Sequence, residues 1–350
     1  MRLTLGLCLL LTSIAFAEPA VAFRDQRLTV SGLTSTANMR VVVAAGTAEA
    51  IAQRPAVTGD WKAAGKDVFD FQPKYALQAG TKYRVFFDGD TSFADVSIPD
   101  TRDKTPPVLL HVFPSGDILP ENTLRFYLVF SKPMSRGEAY ARVKFLDENG
   151  KAVVQPFLEL DAELWNPEQT RLSLLIDPGR IKQEVKPRLD LGPVFLAGKK
   201  YTLVVDGKWP DAAGVPMGND WRLTITAGPA ITKAPTPSEW KITPPAKPGD
   251  AMTVTFPKPM DEALLRNHLT VQTDDGKPIS GTITVEKGET IWRFTPEKPW
   301  KTGNHHLRLN SRLEDVAGNA IDQPFELEES AERPKKPAAV TLIPFTVGGQ

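Results

Sequence analysis

The chain has 350 residues, 41% of them hydrophobic and 24% charged, with 42 basic side chains balancing 42 acidic ones. This is ordinary globular composition in enough chain for two or three cores, and a zero net charge gives no global attraction to nucleic acid or an anionic membrane. Proline is the outlier, at 31 residues or about 9% against a usual ~5%, which disfavours long helices and favours short strands joined by turns. A coiled coil, a polytopic membrane protein and a basic nucleic-acid binder are excluded.

The first segment reads as a secretory signal. Arg2 supplies the positive start, Leu3 to Phe16 is an apolar run too short to span a bilayer, and Ala15-Phe16-Ala17 is a small-x-small cleavage site. Cutting is expected after residue 17, with Ala20-Val21-Ala22 as an alternative ending at 22. Cys8, the one cysteine, leaves with this segment, so the mature chain has no disulfide, thiol nucleophile or thiolate metal site. No later stretch is long enough for a transmembrane helix. The expected location is secreted or periplasmic.

Residues 24–100 form the first module, a short stretch that diverges from the two later modules. Phe71-Gln72-Pro73 leads to Leu77-Gln78-Ala79-Gly80 and then to an alternating run from Tyr83. The polar, proline-marked stretch 99–107 is a hinge to the second module, 105–228. There Leu124, Phe126, Leu128 and Phe130 alternate with Arg125, Tyr127 and Val129, the period of a half-buried strand. The strand ends at Phe130-Ser131-Lys132-Pro133-Met134-Ser135, where proline removes a ladder donor. After a second hinge, 228–237, the third module (237–329) repeats the device. Met252, Val254 and Phe256 alternate with threonines and run into Phe256-Pro257-Lys258-Pro259-Met260-Asp261. Both hinges are short enough to hold the modules in a semi-rigid row.

Each module then crosses a proline, turns at glycine and re-enters as a strand: Pro178 to Gly198 and Tyr201, then Pro296 to Gly303 and His305. An aromatic opening that strand suits a tyrosine corner. Asp211-Ala212-Ala213-Gly214 and Asp315-Val316-Ala317-Gly318-Asn319 are tight turns before a final strand. Together these motifs resemble the SbsA-type bacterial Ig-like domain, most closely in 237–329, well in 105–228 and weakly in 24–100. The resemblance implies an all-β chain of tandem Ig-like β-sandwich domains, of the kind found in exported and surface-layer proteins, and it implies no reaction. Residues 330–350 read as a polar linker plus a C-terminal strand, which docks on a module or is donated to another chain.

The distinctive insertion is 178–197, which holds Arg180, Lys182, Lys186 and Arg188 between stiffening prolines. Loops at the end of a rigid sandwich carry function, and clustered cations suit an anionic polymer. These four residues, with Trp165 as an exposed stacking surface, are the candidate contacts for an envelope polysaccharide or protein. Glu159, Asp161 and Glu163 alternate with apolar residues, which on a strand places three carboxylates on one solvent face, ~6.5–7 Å apart. That spacing is permissive for glycoside hydrolysis, though a flat strand face supplies no cleft. Asp206, Asp211 and Asp220 among glycines could make a weak calcium cage but match no EF-hand spacing. His305 should face inward and His306 outward, so the pair cannot chelate one ion. The tryptophans read mainly as packing residues. No catalytic, cofactor or metal site is assigned. The expected function is a non-enzymatic binding or structural role at a bacterial cell envelope, the alternatives being a glycan-directed enzyme or a strand-donating assembly subunit.

Overall fold

A computed structural model describes residues 19–36, 38–89, 92–101, 103–182, 186–326 and 337–348. The predicted signal segment, 1–17, lies outside these residues. The chain divides into two compact units, Met1–Lys104 and Thr105–Gln350.

The first unit contains β1 (Ala20–Arg24), β2 (Arg27–Ser31), β3 (Arg40–Val43), helix α1 (Ala48–Ala52), β4 (Gly59–Gly65), β5 (Val68–Pro73), β6 (Lys82–Asp88) and β7 (Ser92–Ser97). These form two antiparallel sheets, ordered β1-β2-β5-β4 and β3-β6-β7, so both layers of a sandwich are present. Leu28, Val30, Val41, Phe71, Tyr83 and Val85 fill the space between them. Gly59 sits where no side chain fits, because an added Cβ would lie 2.5 Å from the Phe71 ring.

In the second unit the second module has β8 (Leu109–Phe113), β9 (Ile118–Pro120), β10 (Arg125–Phe130), α2 (Ala139–Arg142), β11 (Val143–Leu146), β12 (Leu164–Trp165), β13 (Arg171–Leu175), α3 (Pro178–Ile181), α4 (Lys186–Leu191), β14 (Lys200–Val205) and β15 (Trp221–Gly228). Its sheets run β12-β13-β10-β8 and β11-β14-β15-β9, and among the described residues only the β9–β15 pairing is parallel. The third module has β16 (Lys241–Thr243), β17 (Met252–Thr255), α5 (Glu262–His268), β18 (Leu269–Thr273), β19 (Gly281–Glu286), β20 (Ile291–Pro296), β21 (Gly303–Asn310) and β22 (Val340–Val347). Its sheets run β16-β17-β20-β19 and β18-β21-β22. The fold is thus all-β. The C-terminal strand pairs antiparallel with β21 along its whole length.

The period-2 reading holds for the inward faces. Leu124, Phe126, Leu128 and Phe130 are buried in the second core, and Met252, Val254 and Phe256 in the third. The two repeated motifs are the two sides of one contact. Met134 bridges to Asp211 and Met260 to Asp315, and the N–H of Ala212 donates to Pro133 as that of Val316 does to Pro259. Both methionines are fully buried and plug the end of their sandwich. The motif lysines reach back along the chain, Lys132 to the carbonyl of Thr105 at the start of its module and Lys258 to that of Lys233 in the hinge before its own. Two tyrosine corners are formed, with Tyr83 Oη accepting from Gln78 N–H at 2.9 Å and Tyr201 Oη from Leu196 N–H at 3.0 Å. In the third module His305 stands at this position, inward and packed edge-on to Trp300, while His306 is half-buried.

Candidate functional site: an ionic joint between two sandwiches

The cations of the insertion divide by burial. Arg180 is a correction: it is 3% exposed, because its guanidinium is spent on the carbonyls of Val154, Gln155, Leu191, Gly192 and Pro193. Burial lowers its pKa against the opposing pull of Asp177. It closes the insertion onto the sandwich and offers nothing to a partner. Arg188 is half-buried and donates to the carbonyls of Arg180 and Ile181, so it too is turned inward. Lys182 is exposed, with its ammonium 5.2 Å from the Phe325 ring, and Lys186 is exposed. Residues 183–185 of the insertion lie outside the described residues.

Trp165 is also a correction. It is half-buried rather than exposed, packed against Phe130 and Trp209, and its indole N–H donates to Glu163 at 2.7 Å. The expected strand through Glu159, Asp161 and Glu163 does not form; regular pairing begins only at Leu164. Glu163 instead accepts the free N–H of Ala139 at the start of α2, at 2.7 Å. Burial works against its charge, but the bonds from Trp165 and Ala139 prevail and hold its pKa below the ordinary value. A general acid needs the opposite shift. The aspartates of the candidate calcium cage serve as turn residues. Asp211 accepts from Ala213 and Val215, Asp206 from Lys208 and Arg142, and Asp220 from Gly207 and Arg222.

The charged residues that the structure does bring together lie elsewhere, where the second and third modules meet. The outward face of β10 carries Arg125 and Tyr127, and β13 adds Arg171 beside them. Opposite stand Asp261 and Glu262, which open α5 directly after the Lys-Pro-Met motif, and Glu314 before the Asp-x-Ala-Gly-Asn turn. Arg125 donates to Asp261 at 2.8 Å and also to Glu314; Tyr127 O–H donates to Asp261 at 2.8 Å. Arg171 donates to Glu262 at 2.6 Å, and its guanidinium lies 4.4 Å above the Tyr127 ring. Glu262 also receives Arg266 from its own helix. Asp261 meanwhile caps α5 by accepting the N–H of Leu264. One carboxylate therefore ends a helix and joins two sandwiches.

A second patch flanks this one. The carboxylate of Glu289, only 2% exposed, receives the N–H and O–H of Ser115, the latter at 2.6 Å. Gly288 makes this approach possible: a Cβ there would lie 3.3 Å from the Cα of Gly116 across the joint, and its φ of 61° also suits glycine. The backbone joins in, with Leu124 N–H donating to the carbonyl of Val316 at 2.9 Å. The linker is pinned from both sides, since Asn122 brackets the amide groups of Ile231 and Asn319 donates to the same carbonyl. Phe325 packs against the second core.

Burial sets the electrostatics of the joint. It raises the pKa of Glu289 despite the Ser115 bonds, that of Glu314 despite Arg125, and that of Asp315 despite Asn319 and Lys258. Tyr127 is pushed up by burial and by Asp261, so its proton is held firmly. For Arg125 burial favours the neutral form, but Asp261 and Glu314 overcome it and the charge is fixed. Sequence reasoning set Arg125 and Tyr127 only on the face of the strand that alternates with Leu124, Phe126, Leu128 and Phe130. The available signal was an outward face that reads Arg-Tyr-Val, together with an acidic pair after Met260.

These features define a class, a chain of β-sandwich modules of which two are fused through a buried ionic joint. No family model matches the chain, and no curated protein matches it. Among solved structures it is similar to the N-terminal part of the bacterial S-layer protein SbsC, at 12% identity and a TM-score of 0.25, covering 70% of this chain and 45% of that one. It therefore spans less than half the length of that relative. It is also similar to the Escherichia coli adhesin FdeC, at 12% identity and a TM-score of 0.20, covering 92% of each chain. A third is the I9–I11 tandem of titin, at 10% identity and a TM-score of 0.21, covering 83% of this chain and 89% of that one.

Proposed function

We propose that this chain is a non-enzymatic, exported protein of SbsA-type Ig-like modules that has a binding or structural role at a bacterial cell envelope, in the periplasm or outside the cell. The observation that carries this reading is the joint. Glu289, Glu314 and Tyr127, whose pKa values are raised, are each bonded to the neighbouring module, so their desolvation goes into fixing two sandwiches against one another. A pair of domains held by such contacts transmits position and force, whereas a flexible linker would not. The contact surface proposed for a partner is the outer part of the insertion, where Lys182 and Lys186 are exposed. An envelope polysaccharide or protein is the partner proposed, with no cofactor.

The glycan-enzyme reading rests on Glu159, Asp161 and Glu163, and the bonds that commit Glu163 to Trp165 and α2 disfavour it. The test is crosslinking of the protein in its own cell envelope, with crosslinked positions mapped by mass spectrometry. Recovery of one polymer or protein through the insertion supports the proposal. Envelope-glycan hydrolysis by the purified chain that is lost in Glu159→Gln, Asp161→Asn and Glu163→Gln together would overturn it.

A further inference from the structure

The second and third modules are built to one plan, and they differ in how the last strand arrives. In the second, β15 starts at Trp221, directly after the tight turn at Gly214. In the third, the chain leaves the equivalent turn at Gly318, places Phe325 against the second module, and enters β22 only at Val340. Residues 327–339 intervene, a stretch rich in charged residues and proline. The equivalent turn at Gly318 therefore does not lead straight into β22 as the one at Gly214 leads into β15.

What β22 contributes is large. It pairs with β21 from Gly303↔Val347 to Asn310↔Val340, and it buries Phe345 and Val347 in the third core. Phe345 stacks on His305, with ring centroids 5.5 Å apart, and meets Trp300 edge-on at 5.8 Å. A third module without β22 has an open strand edge beside an apolar slot that fits this one segment. The opposite edge of β22 is a poor template for added strands, because Pro344 lacks a donor in the middle of it. A further chain can therefore engage this sheet by replacing β22, but not by extending past it.

We infer that β22 is an exchangeable strand, which seats in the third module of a second copy of this chain as it seats in its own. The ladder and the buried side chains are the same in both arrangements. Only the chain connection distinguishes them: pairing within one chain is independent of concentration and pairing between copies is not, so crowding of copies shifts the balance toward exchange. Reciprocal exchange closes a dimer; one-way exchange links copies in series.

The experiment uses two full-length chains, each carrying Cys8→Ser, one with Asn304→Cys and the other with Thr346→Cys. The two positions face each other in the register, with Thr346 Oγ1 3.1 Å from Asn304 Oδ1, and both are exposed, so neither substitution disturbs a core. The chains are mixed at rising concentration, oxidised and separated under denaturing, non-reducing conditions. Exchange gives a covalent heterodimer at least several-fold above the dimer formed by either chain alone, and the excess grows with concentration. Deleting residues 328–336, which shortens the connection available for pairing within one chain, should raise the yield further. A mixture that gives no more dimer than the separate chains at every concentration, with and without the deletion, overturns the inference.

Discussion

Tyr127 and Asp261 belong to different β-sandwiches, and the tyrosine hydroxyl donates to the aspartate at 2.8 Å. Asp261 receives Arg125 at the same distance and caps the helix that starts beside it. The relationship explains why an outward-facing tyrosine is 7% exposed. It also ties the folding of one module to that of its neighbour, because removing any member leaves a buried polar group without its partner.

Arg125→Met is therefore expected to cost about 3–5 kcal/mol, since it leaves the buried Asp261 and the half-buried Glu314 without their cation. Urea denaturation of the whole chain checks this. The variant should lose the joint cooperativity of the second and third modules, so that fluorescence of Trp209 and Trp292, each deep in its own core, reports separate transitions.

The pH dependence comes from the signs of the shifts. Glu289, Glu314 and Asp315 are held above their ordinary values of 4.5, 4.5 and 3.8, chiefly by burial. Their contribution is fully present below those values and is lost as pH rises through the higher folded ones. Glu163 and Asp206 are held low, so theirs is present at neutral pH and lost on strong acidification. Stability should thus fall on strong acidification and also decline as pH rises from the ordinary carboxylate range toward neutrality. Thermal melts across this range test it, and Glu289→Gln should flatten the decline.

Tyr201→Phe removes the acceptor for Leu196 N–H and should cost about 1 kcal/mol, with Tyr83→Phe costing the same in the first unit. Calorimetry that resolves the two units checks each loss separately.

Arg180 and Lys186 carry the same charge within one insertion, but the first is buried and the second exposed. Arg180→Ala orphans the carbonyls that close the insertion and should cost about 3 kcal/mol, whereas Lys186→Ala should stay within about 0.5 kcal/mol of the parent. Limited trypsin digestion separates the two outcomes further, because only the Arg180 variant should be cut faster within 178–197.

If the chain is exported as proposed, its mature form should begin at Glu18. Cleavage after Ala17 leaves β1 whole, whereas cleavage after Ala22 would remove Ala20 to Ala22, which pair with Ser31 to Thr29, and with them Val21 from the first core. N-terminal sequencing of the exported protein decides between them, and a start at Phe23 would contradict this expectation.

Much of the fold was legible because strand periodicity reports which side of a sheet faces its own core. Phe126 and Phe130 or Val254 and Phe256 could be placed from alternation alone, and the Lys-Pro-Met and Asp-x-Ala-Gly motifs marked where the second and third sandwiches close, though the first has neither. The tyrosine corners could be read from an aromatic at a fixed distance past a glycine turn. Local chemistry determined all of these, since proline, glycine and β-strand parity act over a few residues. The other face of a strand has no such rule. Whether Arg125 and Tyr127 meet water or Asp261 depends on a module more than a hundred residues away, and whether Arg180 is a contact or a clamp depends on where five carbonyls converge. Charge is written in the sequence, but desolvation is a property of the assembled surface, and only the tertiary structure decided which charges were buried.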